Sequence, residues 1–293
     1  MKILLTGSNG QVGWELARTL LPLGEVIALN REQANFTNLD ELRRIIEDIS
    51  PTVIVNAAAY TAVDKAESER DLAFLINAQA VAVLAEEAKK QNALLIHYST
   101  DYVFDGTKST PYDEDDIPNP LSVYGESKLA GERAIQASGA DYLIFRTTWV
   151  FAARGQNFVN SILRLASERE ELNIVADQIG APTWARFIAE ATAHIIRQAE
   201  SERKTENFIS GIYNLTSAGE TSWHGFAEEI VKMARQQNRE LKNRLLNPIP
   251  TTAYPTPAKR PSNSRLSTQR LMGRFTLVMP NWVETLRLCV NAD

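Results

Sequence analysis

Short apolar runs alternate with stretches in which apolar residues return every three or four positions, and this alternation organises the first half of the chain. Lys2 to Leu5 is a run of the first kind and predicts a buried strand. Val12, Leu16, Leu20 and Leu21 then share one face of a predicted helix over 12–21. A strand follows over 26–29, an amphipathic helix over 39–49 stopped by Pro51, and a β-branched strand over 52–55. The pattern goes on to predict one long helix from about Asp71 to Gln91, a strand from Leu94 to Tyr98, a helix from Val123 to Ala137 and a strand from Tyr142 to Arg146. Short apolar strands joined by helices bury both faces as a parallel sheet covered on each side. The predicted fold class is α/β, a doubly wound, mostly parallel, Rossmann-like sheet.

The second half is less regular. A helix is predicted from Thr221 to Gln237 and a last apolar segment from Trp282 to Val290, with the charged stretch Glu200 to Glu206 read as a solvated linker. Residues Asn247 to Asn263 hold five prolines, each without an amide donor, which excludes a helix or an inner strand and predicts a loop able to lie over a ligand.

Composition narrows the function classes. The 293 residues are 44% apolar and 23% charged, as in an ordinary globular protein. Lys and Arg number 31 against 36 Asp and Glu, a net charge of −5 that disfavours nucleic acid and anionic membranes as partners. Any anionic ligand must therefore meet locally placed cations. The lone Cys289 permits neither an internal disulfide nor a cysteine zinc site, as expected in a reducing cytosol, and its expected role is core packing. No apolar run approaches the roughly 18 residues that cross a bilayer. Thr6 to Gly10 interrupts the N-terminal apolar run too early for a secretion signal, so a cytoplasmic protein is expected.

In a doubly wound sheet, ligands bind beyond the carboxyl ends of the strands. After the first strand the chain reads Thr6-Gly7-Ser8-Asn9-Gly10-Gln11-Val12-Gly13, with glycines three apart, opening a helix. Glycines permit the turn and a close backbone approach to a pyrophosphate, while the helix start offers free amides, so Gly7, Asn9, Gly10, Gln11 and Val12 are candidate dinucleotide contacts. About twenty residues further, where an NAD enzyme places an acid on the ribose, stand Asn30 and Arg31. Arg31 can pair with a 2′-phosphate and Asn30 does not repel one, which points to NADPH ahead of NADH, with Glu32 nearby as a countervailing charge.

Tyr124 and Lys128 stand one helical turn apart. Chance produces such a spacing often enough that position must carry the weight, and this pair follows the strand that ends near Thr100 and Asp101. A strand-end hydroxyl and a tyrosine can converge on one reacting oxygen, and a neighbouring ammonium is expected to draw the phenol pKa towards neutrality.

The glycine loop, Asn56-Ala57-Ala58-Ala59, Ser99-Thr100-Asp101-Tyr102-Val103-Phe104-Asp105-Gly106 and the Tyr124/Lys128 pair together resemble the extended short-chain dehydrogenase/reductase superfamily. Ala62-Val63-Asp64-Lys65-Ala66-Glu67, Arg146 to Val150, Asp177 to Thr183 and Arg260 to Leu266 sharpen the match to its nucleotide-sugar reductases. The resemblance implies a dTDP-sugar substrate and hydride transfer to its C4 carbonyl, with Tyr124 as proton donor, Lys128 holding the nicotinamide ribose and Thr100 bonding the same oxygen. It further implies cofactor contacts from Asn35, Phe36, Ala57, Ala58, Ala59, Tyr60, Thr61 and Tyr98, and substrate contacts from Asp101, Trp149, Asn157, Gln178, Thr183 and Arg260, the last facing the diphosphate. Asn77 is either a supporting polar group or an exposed helix residue. The implied division is a dinucleotide-binding domain over 1–150 and a mainly substrate-binding domain over 151–293, with some later segments returning to the sheet.

Two alternatives stay open. Tyr102 stands where the superfamily's dehydratases place a second carboxylate, which argues against elimination, but a nucleotide-sugar C4 epimerase uses the same Tyr and Lys. A noncatalytic regulatory subunit, similar to that of methionine adenosyltransferase, keeps the same fold. Some relatives bridge dimers with Mg²⁺ through carboxylates, but here Arg186 stands where one is sought and only Glu15 is in place, so no metal and a monomer or weak homodimer are expected. His97, His194 and His224 lack metal-ligand spacing and are read as structural.

Overall fold

The structure is a computed structural model that describes residues 1–291. β1 (Lys2–Thr6), α1 (Gln11–Thr19), β2 (Glu25–Leu29), α2 (Leu39–Ile49) and β3 (Val53–Asn56) open the fold. The short helices α3 (Val63–Ala66) and α4 (Arg70–Phe74) and the longer α5 (Ala80–Lys90) lead to β4 (Leu94–Thr100), and α6 (Val123–Ser138) leads to β5 (Asp141–Thr147). Then come β6 (Val150–Phe151), α7 (Phe158–Glu168), β7 (Glu171–Val175), β8 (Ile179–Gly180), β9 (Thr183–Trp184) and α8 (Ala185–Lys204). The chain closes with β10 (Gly211–Asn214), β11 (Thr221–Ser222), α9 (Trp223–Gln236), β12 (Leu245–Ile249), α10 (Gln269–Phe275) and α11 (Trp282–Val290).

Six strands form one sheet in the order β10-β5-β4-β3-β1-β2, parallel throughout. Alternate residues of each strand feed two cores, which is why the strands are almost continuously apolar. On one face Ile3, Leu5 and Phe145 pack with Leu16 of α1, Ile188 and Ile195 of α8, and Leu271 of α10. On the other, Leu4, Ile54 and Ile144 pack with Ile46 of α2, Leu84 of α5 and Ile135 of α6. Each fully buried side chain of this size is worth about 1.5–3 kcal/mol relative to exposure. The connections diverge between β1 and β3, which opens a crevice beyond their carboxyl ends.

A third core gathers Phe151, Ile162, Trp184, Phe226, Trp282 and Leu286, with Cys289 buried among them. The chain after residue 150 thus serves both parts: α8, β10 and α10 complete the main sheet and its layers, while α7, α9 and α11 enclose the third core. No helix among the described residues is long and apolar enough to cross a membrane.

Four sequence expectations are corrected. α1 ends at Thr19, because Pro22 has no amide donor and the chain tightens into a 3₁₀ turn over Leu21–Leu23, leaving Leu21 61% exposed instead of on the buried face. The single helix from Asp71 to Gln91 is split by a π turn over Leu75–Gln79. Glu200 to Lys204 are the last turn of α8, not a linker; Arg203 there binds Asp141 at 2.9 Å and Glu200 at 2.8 Å. Part of the proline-rich segment is a strand: β12 pairs with β7 in a separate two-stranded ladder, where Pro248 is tolerated.

Candidate active site

Gly7 adopts φ +75°, and a Cβ there would stand 2.6 Å from the Ala58 nitrogen. Only glycine lets the chain leaving β1 pass this close to the loop after β3. A cavity of about 510 Å³ opens at this point, lined by Gly7, Asn9, Gly10, Arg31, Asn35 and Phe36 and by every residue from Ala57 to Thr61. Ala34, Ala62, Lys65, Glu69, Leu72 and Ile76 complete the wall. The sequence missed those beyond Ala34 because α3, α4 and the π turn fold over the cavity, a tertiary placement that no local spacing announces.

Gln11 and Val12 belong to the first turn of α1 and are not part of that lining. Val12 packs on the sheet core, whereas Gln11 Oε1 is buried without a hydrogen-bond partner. Asn30 spends its side chain on its own turn, Oδ1 accepting from Glu32 N at 2.9 Å and Gln33 N at 3.1 Å. That turn leaves Arg31 exposed on the cavity wall.

Deeper in the crevice, Ser122 caps α6 by accepting from Gly125 N at 3.2 Å. A Cβ on Gly125 would stand 2.2 Å from Tyr102 O, so glycine lets the first turn of α6 press against the 3₁₀ turn Asp101–Val103 that follows β4 and brings Tyr124 beside Thr100. Tyr124 meets Tyr102 edge to face, centroids 5.5 Å apart. Burial pushes the Tyr124 hydroxyl up to about 12; the facing Thr100 hydroxyl opposes the rise and the Asp101 charge adds to it. The expected pull towards neutrality by Lys128 is absent, because the ε-amino group is held 2.7 Å from Tyr98 O and 3.2 Å from His97 Nε2. Burial brings Lys128 itself down to about 8, with Glu132 opposing. Asp101, 3% exposed, is raised by burial to about 6 against the hydroxyls of Ser264, Thr100 and Thr148.

Two neighbours are structural supports. The Tyr98 ring lies in the core with its hydroxyl 2.8 Å from Thr192 Oγ1, so its side chain is turned from the crevice and only its carbonyl reaches Lys128. Asn77 occupies the π turn and is 1% exposed, not a surface residue. It accepts from Tyr60 N at 2.8 Å and donates to Tyr60 O and Ser127 Oγ, both at 3.0 Å, tying the cavity wall to α6.

A second cavity, about 620 Å³, lies between α7, β7 and the proline-rich segment and includes Gln178, Trp223, Tyr254 and Arg260 in its lining. Trp149, at φ +47°, stacks on Trp223 with centroids 3.6 Å apart. Gln178 joins the walls, accepting from Trp223 Nε1 at 3.2 Å and donating to Thr251 Oγ1 at 3.0 Å. Arg260 is held by Asp64 through a fork of 2.8 and 3.2 Å and approaches Tyr102. Two expected substrate contacts are placed otherwise. Asn157 caps α7, accepting from Asn160 N at 3.1 Å and donating to Ala152 O at 2.8 Å. Thr183, fully buried, donates to Ala181 O and accepts from Ser217 N. Trp223, Phe158, Arg169 and Tyr254 were not anticipated; an aromatic residue among prolines at Tyr254 was the one usable signal.

Among the described residues no cluster of three acidic, histidine or cysteine groups is placed to hold a metal, and Arg186 pairs with Glu190 at 2.9 Å.

A glycine turn at the head of a doubly wound sheet, with a buried Tyr-x-x-x-Lys pair beside a strand-end threonine, defines an oxidoreductase of the short-chain dehydrogenase/reductase type. Residues 1–293 match the family described as RmlD substrate binding domain. A dTDP-4-dehydrorhamnose reductase of Burkholderia thailandensis is 56% identical over 293 residues, covering 99% of this chain and 98% of that protein. The reductase of Escherichia coli K12 is 48% identical, covering 99% and 97%. The crystal structure of the Bacillus anthracis reductase in complex with NADP superposes with a TM-score of 0.88 at 34% identity, covering 100% of this chain and 99% of that one. This chain belongs to the dTDP-4-dehydrorhamnose reductase family.

Proposed function

We propose that this chain reduces the C4 carbonyl of dTDP-4-dehydro-L-rhamnose to dTDP-L-rhamnose, using NADPH in preference to NADH. The observation that carries the reading is the position of Tyr124 where residues of both cavities meet. Tyr60, in the wall of the first, packs in the apolar cluster of Tyr124; Tyr102, edge to face with Tyr124, lies against Arg260 in the wall of the second.

The residues present fit a dinucleotide. Gly7 and Gly10 present bare backbone to the first cavity, Gly7 in a turn packed so closely on Ala57 and Ala58 that no Cβ could be borne there. Gly7, Asn9 and Gly10 would hold the pyrophosphate, Arg31 the 2′-phosphate, and Lys128 the nicotinamide ribose. Bound NADPH would supply the hydride. Tyr124, kept neutral by burial, has a proton to give at any physiological pH and delivers it to the carbonyl oxygen, while the Thr100 hydroxyl bonds the same oxygen as charge develops. The Trp149 and Trp223 stack offers an apolar wall to the deoxysugar, and the Arg260 fork suits its diphosphate.

The test is oxidation of NADPH and NADH with dTDP-4-dehydro-L-rhamnose, the product identified by mass and NMR. Stoichiometric conversion to dTDP-L-rhamnose is expected. No consumption by a folded, cofactor-binding protein would overturn the reading in favour of an epimerase or a regulatory subunit. Arg31→Ala should raise the KM for NADPH about tenfold or more, the loss of a charge-assisted contact, and leave that for NADH nearly unchanged. An unaltered NADPH-to-NADH ratio would remove Arg31 from the 2′-phosphate site.

A further inference from the structure

The chain carries a net charge of −5, so a dinucleotide in the first cavity must find its counter-charge locally. The cavity wall holds two cationic side chains, Arg31 and Lys65, and one acidic side chain, Glu69. Arg31 comes off β2 and Lys65 off α3 beyond β3; β2 and β3 are the strands on either side of β1, whose turn carries Gly7 and Gly10. A dinucleotide with its 2′-phosphate on Arg31 lays its pyrophosphate over that turn. Backbone amides meet it there with partial charges, which leaves the two full charges of the pyrophosphate without a cation.

Lys65 is exposed, and among the described residues no ion pair or hydrogen bond holds its ammonium. The acids around it are all occupied elsewhere. Glu69, four residues on and the natural partner by helical spacing, accepts from the Tyr60 hydroxyl at 2.5 Å. Asp64 is taken by the fork of Arg260 and by Ala258 N, and Glu67 accepts from Val123 N at 2.9 Å. The Lys65 carbonyl meanwhile accepts from Ser68 N, Ser68 Oγ and Glu69 N, so the backbone is fixed where the side chain is left free. Neighbouring cations are already paired: Arg70 meets Glu126 at 2.8 Å and Arg43 meets Glu86 at 2.7 Å.

We propose, on the dinucleotide reading given above, that Lys65 is the cation that meets the cofactor's pyrophosphate in the cavity it shares with the glycine turn. A compact ammonium on a flexible stem suits this group, whose charge is spread over oxygens on two phosphorus atoms and needs a point charge more than a planar fork. The two cations of the wall then divide the cofactor between them. Arg31 meets the 2′-phosphate and separates NADPH from NADH, while Lys65 meets the group that both nucleotides share and serves them alike. Leaving an exposed lysine unpaired costs the fold almost nothing, since surface ion pairs are worth little, so the occupied state of Asp64, Glu67 and Glu69 keeps Lys65 available to a ligand.

The test reads binding without turnover, on the intact protein. NADPH and NADH are titrated by nicotinamide fluorescence, and NADPH is then displaced by ADP-ribose, which carries the pyrophosphate without a 2′-phosphate, and by 2′-AMP, which carries a 2′-phosphate without the pyrophosphate. In Lys65→Gln the dissociation constants of NADPH, NADH and ADP-ribose should each rise about tenfold, the loss of one charge-assisted contact, while that of 2′-AMP stays within about twofold. Arg31→Ala should show the opposite pair, 2′-AMP weakened and ADP-ribose kept. Lys65→Arg keeps the charge and should bring all four constants to within about threefold of wild type. Unchanged binding of NADPH, NADH and ADP-ribose in folded Lys65→Gln, or a loss confined to NADPH and 2′-AMP, would overturn the proposal; Lys65→Ala gives the same reading if the glutamine variant does not fold. A wild-type protein that binds the dinucleotide without reducing the sugar would sink the reductase reading alone, and the same constants would still decide the role of Lys65. One that binds no dinucleotide would sink both.

Discussion

Replacing Tyr124 with phenylalanine is expected to lower kcat for dTDP-4-dehydro-L-rhamnose by about 10²–10⁴-fold, the usual contribution of a positioned general acid. Cofactor affinity should change by less than about threefold, because the ring, its edge-to-face contact with Tyr102 and the apolar cluster around it are all kept. Steady-state NADPH oxidation beside a fluorescence titration of the cofactor reads both quantities. A variant that retains more than about a tenth of wild-type turnover would take the proton-donor role from Tyr124. The raised hydroxyl pKa bears on the profile as well: up to about 12 the phenol keeps its proton, so no loss of rate at neutral pH is to be assigned to Tyr124 ionising in the free protein.

Arg146→Met should destabilise the fold by about 3–5 kcal/mol, the cost of leaving a buried charge without its partner. Arg146 on β5 and Glu132 on α6 are 2% and 1% exposed and meet through two short parallel contacts, with the Phe104 ring 5.0 Å from the guanidinium carbon. Methionine keeps most of the bulk, so the loss isolates the ion pair from packing. Urea unfolding followed by circular dichroism measures it. A shift under about 1 kcal/mol would mean that water or another cation reaches Glu132. Adding Glu132→Leu to the first change should recover much of the loss, since two apolar groups leave no charge to desolvate.

The alternating half of the fold was legible because each strand is buried on both faces and each helix on one, so local pattern and final environment agree. α2 has the bounds its periodicity announces, with Asn38 capping it through Glu41 N. The π turn was not legible. Leu75 to Gln79 carries ordinary helix formers, and its cause is tertiary: Asn77 must meet Tyr60 and Ser127 at once. α8 hid its last turn behind charges, because Arg203 and Glu202 serve contacts to Asp141 and Arg274 that lie far away in sequence. At the site, glycines and loop residues could be read from type and position. The side chains of Tyr98, Asn157 and Thr183 could not, since only the surrounding backbone decides whether a polar group faces a ligand or caps a helix.

The Arg260 fork is not idle in the free chain. Asp64 grips it through two contacts and also accepts from Ala258 N at 3.2 Å, while Asp177 accepts from Thr251 N at the other end of the proline-rich segment. On the proposed reading, a diphosphate that takes the same fork of Arg260 would displace a resident carboxylate, so recognition there would be an exchange between rivals and only the difference between them would contribute to affinity. On the same reading a singly charged or poorly shaped anion would gain nothing over Asp64, and the segment would stay latched against it. A ligand able to offer two oxygens in parallel is the kind that can undo the latch.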